Sequence, residues 1–149
     1  MVMKTERYWI AITETPLDLN ALYQYCVVPE CGAVTVFVGT VRNHFQGRPV
    51  AALEYHGYPE MAEQVLETIA HQVFNRWPVS RIAIHHRLGY LALTEASVII
   101  VVASAHRDAA YAASRYIIEA IKKDLPVWKK EHFEDGAAEW KHDPGATTE

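Results

Sequence analysis

Short apolar stretches separated by polar, glycine-containing turns run through the chain and predict a set of β-strands. Strands are expected where β-branched and aromatic residues dominate, and these segments are Arg7–Thr13, Gly32–Arg42, Val50–His56, Arg81–Leu88 and Ala96–Ser104. The segment Val127–Phe133 is expected to be extended, and a last short strand is expected around Trp140. A polar loop, NHFQGRP, separates the second strand from the third, so we expect these two strands to pair as a hairpin.

Helical periodicity is found in three other segments, which are Pro16–Tyr25, Tyr58–Trp77 and Arg107–Asp124. Pro59 suits the first position of the middle helix, because its missing N–H would have no partner there. The last helix is expected to end where Leu125 precedes Pro126, since a residue before proline disfavours the helical conformation. Hairpins mixed with helical crossovers predict an α+β domain with a largely antiparallel sheet and two long helices.

Composition limits the classes of protein that this chain can be. It has 149 residues, of which 50% are hydrophobic and 21% charged, which predicts one soluble domain over residues 1–141 followed by a flexible polar tail over 142–149. The net charge of -4 argues against a general binder of nucleic acid or of an anionic membrane, which would be basic. No apolar run is long enough to span a bilayer, and no signal peptide is recognisable.

The two cysteines, Cys26 and Cys31, are expected to be small buried side chains in a protein of the reducing cytoplasm. A metal centre would need more ligands at closer spacing, so no metal and no cofactor are expected. The adjacent pair His85 and His86 lies in a predicted strand, where successive side chains face opposite ways, and we expect one to be in the core and one on the surface. No phosphate-binding glycine loop or nucleophile elbow is present.

Basic residues are gathered in three places. The first is Arg42 with Asn43 and His44, where a strand enters a loop, although an isolated arginine there would ordinarily be solvated. The second is the segment Ser104–Asp108, between a strand and the N-terminus of a helix, which is a favourable place for phosphate or carboxylate. The alternative for the second cluster is that Asp108 caps the helix while His106 and Arg107 are merely solvated.

The third basic cluster surrounds a proline and a tryptophan in the stretch KKDLPVWKKE, and its lysines are Lys122, Lys123, Lys129 and Lys130. The first two suit the negative C-terminal end of a helix. The other two follow the turn at Pro126 on an extended segment, so they point opposite ways and one of them should face back toward Lys122. Two ammonium groups held close lower each other's pKa, which favours a base, a nucleophile or an anion-binding site.

Distance separates the second cluster from the third within one chain. Arg107 and Lys122 are fifteen residues apart on one helix, or roughly 22 Å at 1.5 Å per residue. They cannot both touch one small reacting centre unless a second copy of the chain contributes. The sequence therefore leaves two separate sites, or one site completed across a twofold dimer.

Taken in order, these motifs resemble the large catalytic subunit of molybdopterin synthase. The resemblance covers Gly32 to Trp140 and is carried by GAVTVFVGTVRNH, LEYHGYPEMAE, IAIHHRLGYL, SAHRDAAYAA and IKKDLPVWKKE. It implies an α/β-hammerhead-type fold and an enzyme that converts cyclic pyranopterin monophosphate to molybdopterin by installing two dithiolene sulfurs. It also implies a partner, a small ubiquitin-like sulfur-carrier subunit whose C-terminal thiocarboxylate enters the large subunit, and a homodimer of large subunits within a heterotetramer.

The resemblance also implies roles for particular residues. Lys122 and Lys129 would be the catalytic lysines beside the inserted tail. Arg42, His106 and Arg107 would bind the substrate, with the last two reaching the site across the dimer. Family members often carry another basic residue after the late tryptophan, and Lys141 is the candidate to replace it here.

The turn between the lysines has an expected structural role. We expect the chain to fold back at Pro126 so that Lys122 and Lys129 lie on either side of a slot, with Trp128 anchoring the turn in the core. The competing hypothesis is a non-catalytic dimeric module that binds an acidic C-terminal tail or a phosphorylated ligand with the same basic clusters. A small-molecule-binding regulator would explain His106 and Arg107 but not the paired lysines.

Overall fold

The computed structural model describes residues 1–141, which form three helices and ten strands. The helices are α1 (Leu19–Cys26), α2 (Pro59–Arg76) and α3 (Arg107–Asp124). The strands are β1 (Val2–Lys4), β2 (Tyr8–Thr13), β3 (Ala33–Thr40), β4 (His44–Phe45), β5 (Arg48–Gly57), β6 (Val79–Arg87), β7 (Gly89–Ala92), β8 (Ala96–Ser104), β9 (Val127–Phe133) and β10 (Ala138–Lys141). None of the helices over these residues is long and apolar enough to cross a membrane.

Two sheets form the framework of the molecule. The first has the order β1-β2-β6-β8-β3 and is antiparallel except for the parallel pair β2 and β6. The second has the order β10-β9-β5-β4, with β7 also paired to β5, and its pairs are antiparallel. The predicted α+β class, with largely antiparallel strand pairing and two long helices, is confirmed, although the strands form two sheets where one was expected.

The main core lies between the first sheet and the helices α2 and α3. Alternate residues of the central strands, such as Ile10, Ile84 and Ile100, are buried against apolar positions of the two helices. The opposite face of the sheet packs against α1 through Leu22 and Cys26. Helices therefore cover both faces of the central strands, as the nearly continuous apolar run Ala96–Ser104 requires.

The expected hairpin between the second and third predicted strands is wrong. β3 pairs with β8 in the first sheet, whereas β5 belongs to the second sheet. The physical reason is a tight turn at Gln46 and Gly47, both with positive φ, which pairs the start of β5 with the two-residue strand β4 instead. The loop predicted between the two strands therefore contains a short strand of its own.

The turn after α3 is anchored by a different residue from the one expected. Trp128 is half-buried and packs edge-on against Tyr58, with ring centroids 5.4 Å apart. Leu125 is fully buried in the main core, and its N–H closes the last turn of the helix on the carbonyl of Ile121 at 3.1 Å. Pro126 then stops the helix as predicted, and β9 begins at the next residue.

The division into one domain over residues 1–141 and a tail over 142–149 stays a prediction, and that tail lies outside the described residues. The short first helix begins later than expected, because Asp18 caps it by accepting a hydrogen bond from the N–H of Ala21 at 3.2 Å. α3 and β9 have the predicted bounds.

Replacing Leu125 with alanine is expected to destabilise the protein, because it opens a cavity under the turn that leads from α3 to β9. The expected loss in the free energy of unfolding is about 2–5 kcal/mol. Chemical denaturation with Leu19→Ala as the matched control measures it, since Leu19 undergoes the same truncation but is 40% exposed. Equal losses in the two variants would contradict the anchoring role of Leu125.

Candidate functional site

A pocket of about 340 Å³ lies between the C-terminal end of α3, the end of β3 and one face of the second sheet. Its polar lining residues come from well-separated places in the chain and include Arg42, His44, Tyr55, His86, Lys122, Lys129, Glu131 and Lys141. Apolar side chains such as Phe37, Ile118 and Leu53 form the rest of the wall. An apolar wall with a few converging charged groups is typical of a ligand-binding or catalytic site.

The turn at Leu125–Pro126 brings Lys122 and Lys129 to the same pocket. Lys122 is in the last turn of α3, and Lys129 is on β9, where it pairs with Tyr55 of β5. Lys123 and Lys130 are not among the residues that line the pocket. Lys130 lies instead over the ring of Trp140, 5.3 Å from its centroid, on the opposite face of the strand. The expected opposite orientation of the two β9 lysines thus agrees with the geometry.

Both pocket lysines have a lowered pKa. Burial is the main cause of the lowered pKa of Lys122, and the positive charge of Arg42 adds to it. Burial is also the main cause for Lys129; the nearby carboxylate of Glu131 opposes it, and the charges of Lys122, Arg42 and Lys141 reinforce it. A lysine whose pKa is lowered gives up its proton more readily, so these two side chains are suited to proton transfer as well as to anion binding.

Arg42 enters the pocket directly after β3. Its Nε donates to the backbone carbonyl of His44 at 3.1 Å, which holds the guanidinium close to the turn between β3 and β4. The imidazole of His44 lies 3.1 Å from the side-chain oxygen of Asn43 and also lines the pocket, whereas Asn43 is not among the lining residues. Arg42, Lys122 and Lys129 therefore share one site, although they are far apart in the sequence.

Glu131 is a pocket residue that the sequence analysis missed. It is 2% exposed, and burial raises the pKa of its carboxyl group above the usual value, although Lys129 and Lys141 act in the opposite direction. Its Oε1 atom is buried and makes no hydrogen bond with any of residues 1–141. The alternation of β9 could have identified it, because residues two apart on a strand share a face and Glu131 is two residues after Lys129.

The histidine pair in β6 departs from the expectation. The two rings do face opposite ways, but both are buried, so the expectation that one is on the surface is wrong. The physical reason is that helices cover both faces of this central strand. His86 faces the pocket, and its Nδ1 lies 3.0 Å from the carbonyl oxygen of Arg87, which can only accept, so Nδ1 carries the proton. Burial lowers the pKa of His86 to about 4, so its ring is neutral near pH 7.

The second predicted cluster is not part of this pocket within one chain. His106 and Arg107 are exposed at the N-terminus of α3, the opposite end of the helix from Lys122. The alternative that Asp108 caps this helix is wrong, because the cap position is His106 and no side chain of the described residues makes a capping hydrogen bond there. The N–H groups of the first turn are therefore not capped by these side chains and are available to bind an anion.

Lys141, the candidate to replace the expected late basic residue, lines the pocket. Its Nζ is 5.2 Å from the centroid of Phe45, and Lys129 approaches the same ring at 5.8 Å. Glu139 pairs with Lys141 at 3.4 Å. Over residues 1–141, no group of three His, Cys, Asp or Glu side chains is arranged to hold a metal ion.

The fold and the site together define a mixed α+β protein with a mainly basic pocket suited to an anionic reactant and to proton transfer. The model of the family "MoaE protein" matches residues 12–124. The molybdopterin synthase catalytic subunit of Halalkalibacterium halodurans is 43% identical over 98% of this chain and 92% of its own length. That of Bos taurus is 46% identical over 89% of this chain and 70% of its own length.

Solved structures agree with these relatives. Molybdopterin synthase from Staphylococcus aureus superposes with a TM-score of 0.84 at 35% identity, covering 93% of this chain and 98% of that one. A MoaE protein from Burkholderia ambifaria gives a TM-score of 0.78 at 35% identity, over 93% of this chain and 91% of that one. The chain belongs to the MoaE family, whose curated relatives are catalytic subunits of molybdopterin synthase.

Replacing Lys129 with methionine is expected to stabilise the fold near pH 7, because the ammonium of this half-buried side chain is disfavoured in the folded state. The lowered pKa means that the unfolded chain binds the proton more tightly. The gain should therefore be largest at neutral pH, fade as the pH rises through the lowered pKa of Lys129 in the folded state, and be gone above the ordinary lysine pKa of about 10.4.

Thermal unfolding between pH 7 and pH 11 measures this gain. Lys130→Met is the control, since Lys130 is the neighbouring residue on the outer face. A pH-independent change in melting temperature at position 129, or the same change at position 130, would contradict the assignment of burial as the cause.

Proposed function

We propose that this chain is the catalytic subunit of a molybdopterin synthase, which transfers sulfur from a carrier's C-terminal thiocarboxylate to cyclic pyranopterin monophosphate. The observation that carries the proposal is the convergence of Arg42, Lys122 and Lys129 on one pocket. An anionic tail and a phosphorylated substrate both need cations, and in a protein of net charge -4 these must be gathered locally.

The lysines fit the chemistry of acyl-linked sulfur. The thiocarboxylate sulfur bonds to a substrate carbon as a carbon–oxygen bond at that carbon breaks and the oxygen leaves as water. A second water then hydrolyses the acyl–sulfur bond, so the carrier regains its carboxylate and the substrate keeps a thiol. The carbonyl oxygen carries negative charge in that step, and an ammonium group aimed at it lowers the barrier. A lysine with a lowered pKa can also donate and recover the proton that the thiol and carboxylate exchange. Lys122 and Lys129 share these two roles.

The partner in this proposal is a small ubiquitin-like sulfur-carrier subunit. A Helicobacter pylori structure described as a complex of subunits 1 and 2 of molybdopterin-converting factor has the same fold at a TM-score of 0.73 and 23% identity. A pocket that is lined by Lys129 and Lys141 suits the insertion of an acidic C-terminal tail. The free thiols of Cys26 and Cys31 agree with the expected cytoplasmic location.

The proposal includes a homodimer formed along the open edge of β3. This strand is at one end of the first sheet, and Val36 and Phe37 on it are 43% and 38% exposed. An unpaired strand edge favours pairing with another strand. A twofold axis perpendicular to the sheet would join two copies of β3 in antiparallel fashion and make one continuous sheet.

Such an axis also brings the two ends of α3 together. α3 packs beside β3 on the pocket side, where the Thr35 hydroxyl donates to the carbonyl of Ala110 at 3.2 Å. The twofold axis places the two copies of α3 on the same face of the continuous sheet, and the two helices are antiparallel. His106 and Arg107 of the second copy would then lie beside Lys122 of the first, where they could hold the phosphate of the substrate.

Lys122→Ala is expected to lower the rate of sulfur transfer by about 10²- to 10⁴-fold, the usual contribution of a positioned acid or base. The assay mixes the protein with a thiocarboxylated Gly-Gly-ended carrier and cyclic pyranopterin monophosphate and detects dithiolene pterin by mass spectrometry. Lys123→Ala is the matched control, because this lysine is adjacent, exposed and outside the pocket.

Two outcomes of this assay separate the competing functions. Product that depends on the protein and is lost with Lys122→Ala, while the carrier still binds, supports catalysis. Binding of the carrier by the wild-type protein without any product would contradict catalysis and support the non-catalytic module that captures an acidic tail.

Mixing Lys122→Ala with Arg107→Ala is expected to restore activity that neither variant has alone. In a mixed dimer one pocket receives an intact Lys122 from one copy and an intact Arg107 from the other, so random exchange should recover about a quarter of the wild-type rate. Lys122→Ala mixed with Lys129→Ala is the control, since both changes affect the pocket of a single chain. A mixture no more active than its separate components would contradict the shared site.

A further inference from the structure

The sequence HRLG at the end of β6 is not used by the proposed chemistry, and its arginine lies behind the pocket. Arg87 does not line the pocket, because its side chain projects from the face of β6 opposite to that of His86. Its side chain is 12% exposed, and its Nη1 donates to Oε2 of Glu95 at 2.9 Å. The Nε atom of the same guanidinium is buried and has no hydrogen-bond partner within the part of the chain that the structure describes. The cost of burying this cation therefore rests largely on one carboxylate.

Glu95 also stabilises the turn between β7 and β8 through hydrogen bonds. Its Oε1 accepts from the N–H of Ala92 at 2.7 Å, while its own N–H donates to the carbonyl of Ala92 at 3.2 Å. Within this turn Thr94 has a φ of 72°, a conformation that is uncommon for a residue other than glycine. The amide of Ala92 and the guanidinium of Arg87 both lower the pKa of the Glu95 carboxyl, so this side chain is an anion near pH 7.

The turn between β7 and β8 makes hydrogen bonds to the backbone of Val41, the residue that precedes Arg42. Val41 donates its N–H to the carbonyl of Glu95 at 3.0 Å and accepts from the N–H of Thr94 at 2.7 Å. Its side chain is buried in the small core of the second sheet. Both backbone groups of Val41 are thus fixed just where the chain leaves β3, and the direction in which Arg42 enters the pocket depends on them.

We propose that Arg87 is a positioning residue for Arg42, acting through Glu95 and the backbone of Val41. The backbone carbonyl of Arg87 accepts from Nδ1 of His86 in the pocket wall, a contact that does not involve the arginine side chain. Its contribution to activity rests on the proposed function, because Arg42 binds the substrate there. Its structural part, the fixing of Val41, does not depend on any activity.

Arg87→Met removes the ion pair while keeping a side chain of similar length, and Arg87→Lys keeps the positive charge. The first measurement is amide hydrogen exchange at Val41 by NMR. We expect exchange at Val41 to be at least about tenfold faster in Arg87→Met, within the range of coupling between contacting groups. Arg87→Lys should restore part of the protection. Glu95→Gln should speed exchange at Val41 as Arg87→Met does. Agreement between the two variants would show that the effect comes from the lost ion pair and not from poor folding of one variant.

Arg81→Met is the matched control. Arg81 lies on the same face of the same strand, and its Nη1 also anchors a backbone carbonyl, that of Tyr25 in the last turn of α1, at 2.7 Å. The residues that hold Val41 and Arg42 are not part of this contact. Faster exchange throughout the protein, or equal effects of Arg81→Met and Arg87→Met at Val41, would overturn the proposal, because the arginine would then have only a general structural role.

A double-mutant cycle with Arg42→Ala tests the consequence for the reaction. Arg87→Met should raise the KM for cyclic pyranopterin monophosphate by about tenfold when Arg42 is present and by much less when it is absent. Equal effects in the two backgrounds would overturn the positioning role. If the wild-type protein proved inactive, the proposed function would fail while exchange at Val41 still decided whether Arg87 fixes this turn.

Discussion

The burial of Leu125 is the interaction on which the site depends. Since this side chain is fixed in the main core, the chain must reverse direction at the C-terminal end of α3 and start β9 within two residues. The reversal places the last turn of a helix opposite the first residues of a strand, and each contributes one lysine to the pocket. Lys122 and Lys129, which are seven positions apart in the sequence, are thus brought to one pocket by the apolar packing of Leu125.

Bringing these cations together costs free energy, and the rest of the pocket limits that cost. Lys122 lies at the negative end of the α3 dipole, which favours a positive charge. Glu131 places a carboxylate beside Lys129 and favours its charged form. Phe45 presents its ring to both Lys129 and Lys141. The pocket remains dominated by positive charge, and the arrival of an anionic reactant would remove the remaining repulsion.

Local sequence patterns predicted most helices and strands. The errors concern strand pairing and burial, which depend on residues far apart in the sequence. α3 and β9 have their predicted bounds because a proline stops one and starts the other. The predicted pairing of β3 was wrong because an apolar strand does not reveal which neighbour it will pair with. β3 pairs with β8 along its whole length, whereas β5 pairs with β4, β7 and β9. The burial of both histidines in β6 likewise depends on the central position of that strand, which no local pattern contains.

The sequence predicted those pocket residues whose charge itself suggests a chemical role. It did not predict the residues that act only by positioning them. Arg42, Lys122 and Lys129 attracted notice as clustered cations, and folding brought them together. Arg87 did not, because its partner Glu95 is eight residues away across a strand turn, and its effect reaches Arg42 only through the backbone of Val41. A surface cation can be replaced with little consequence. A largely buried guanidinium whose charge is met by one carboxylate cannot, and the precision of the pocket depends on such contacts behind its wall.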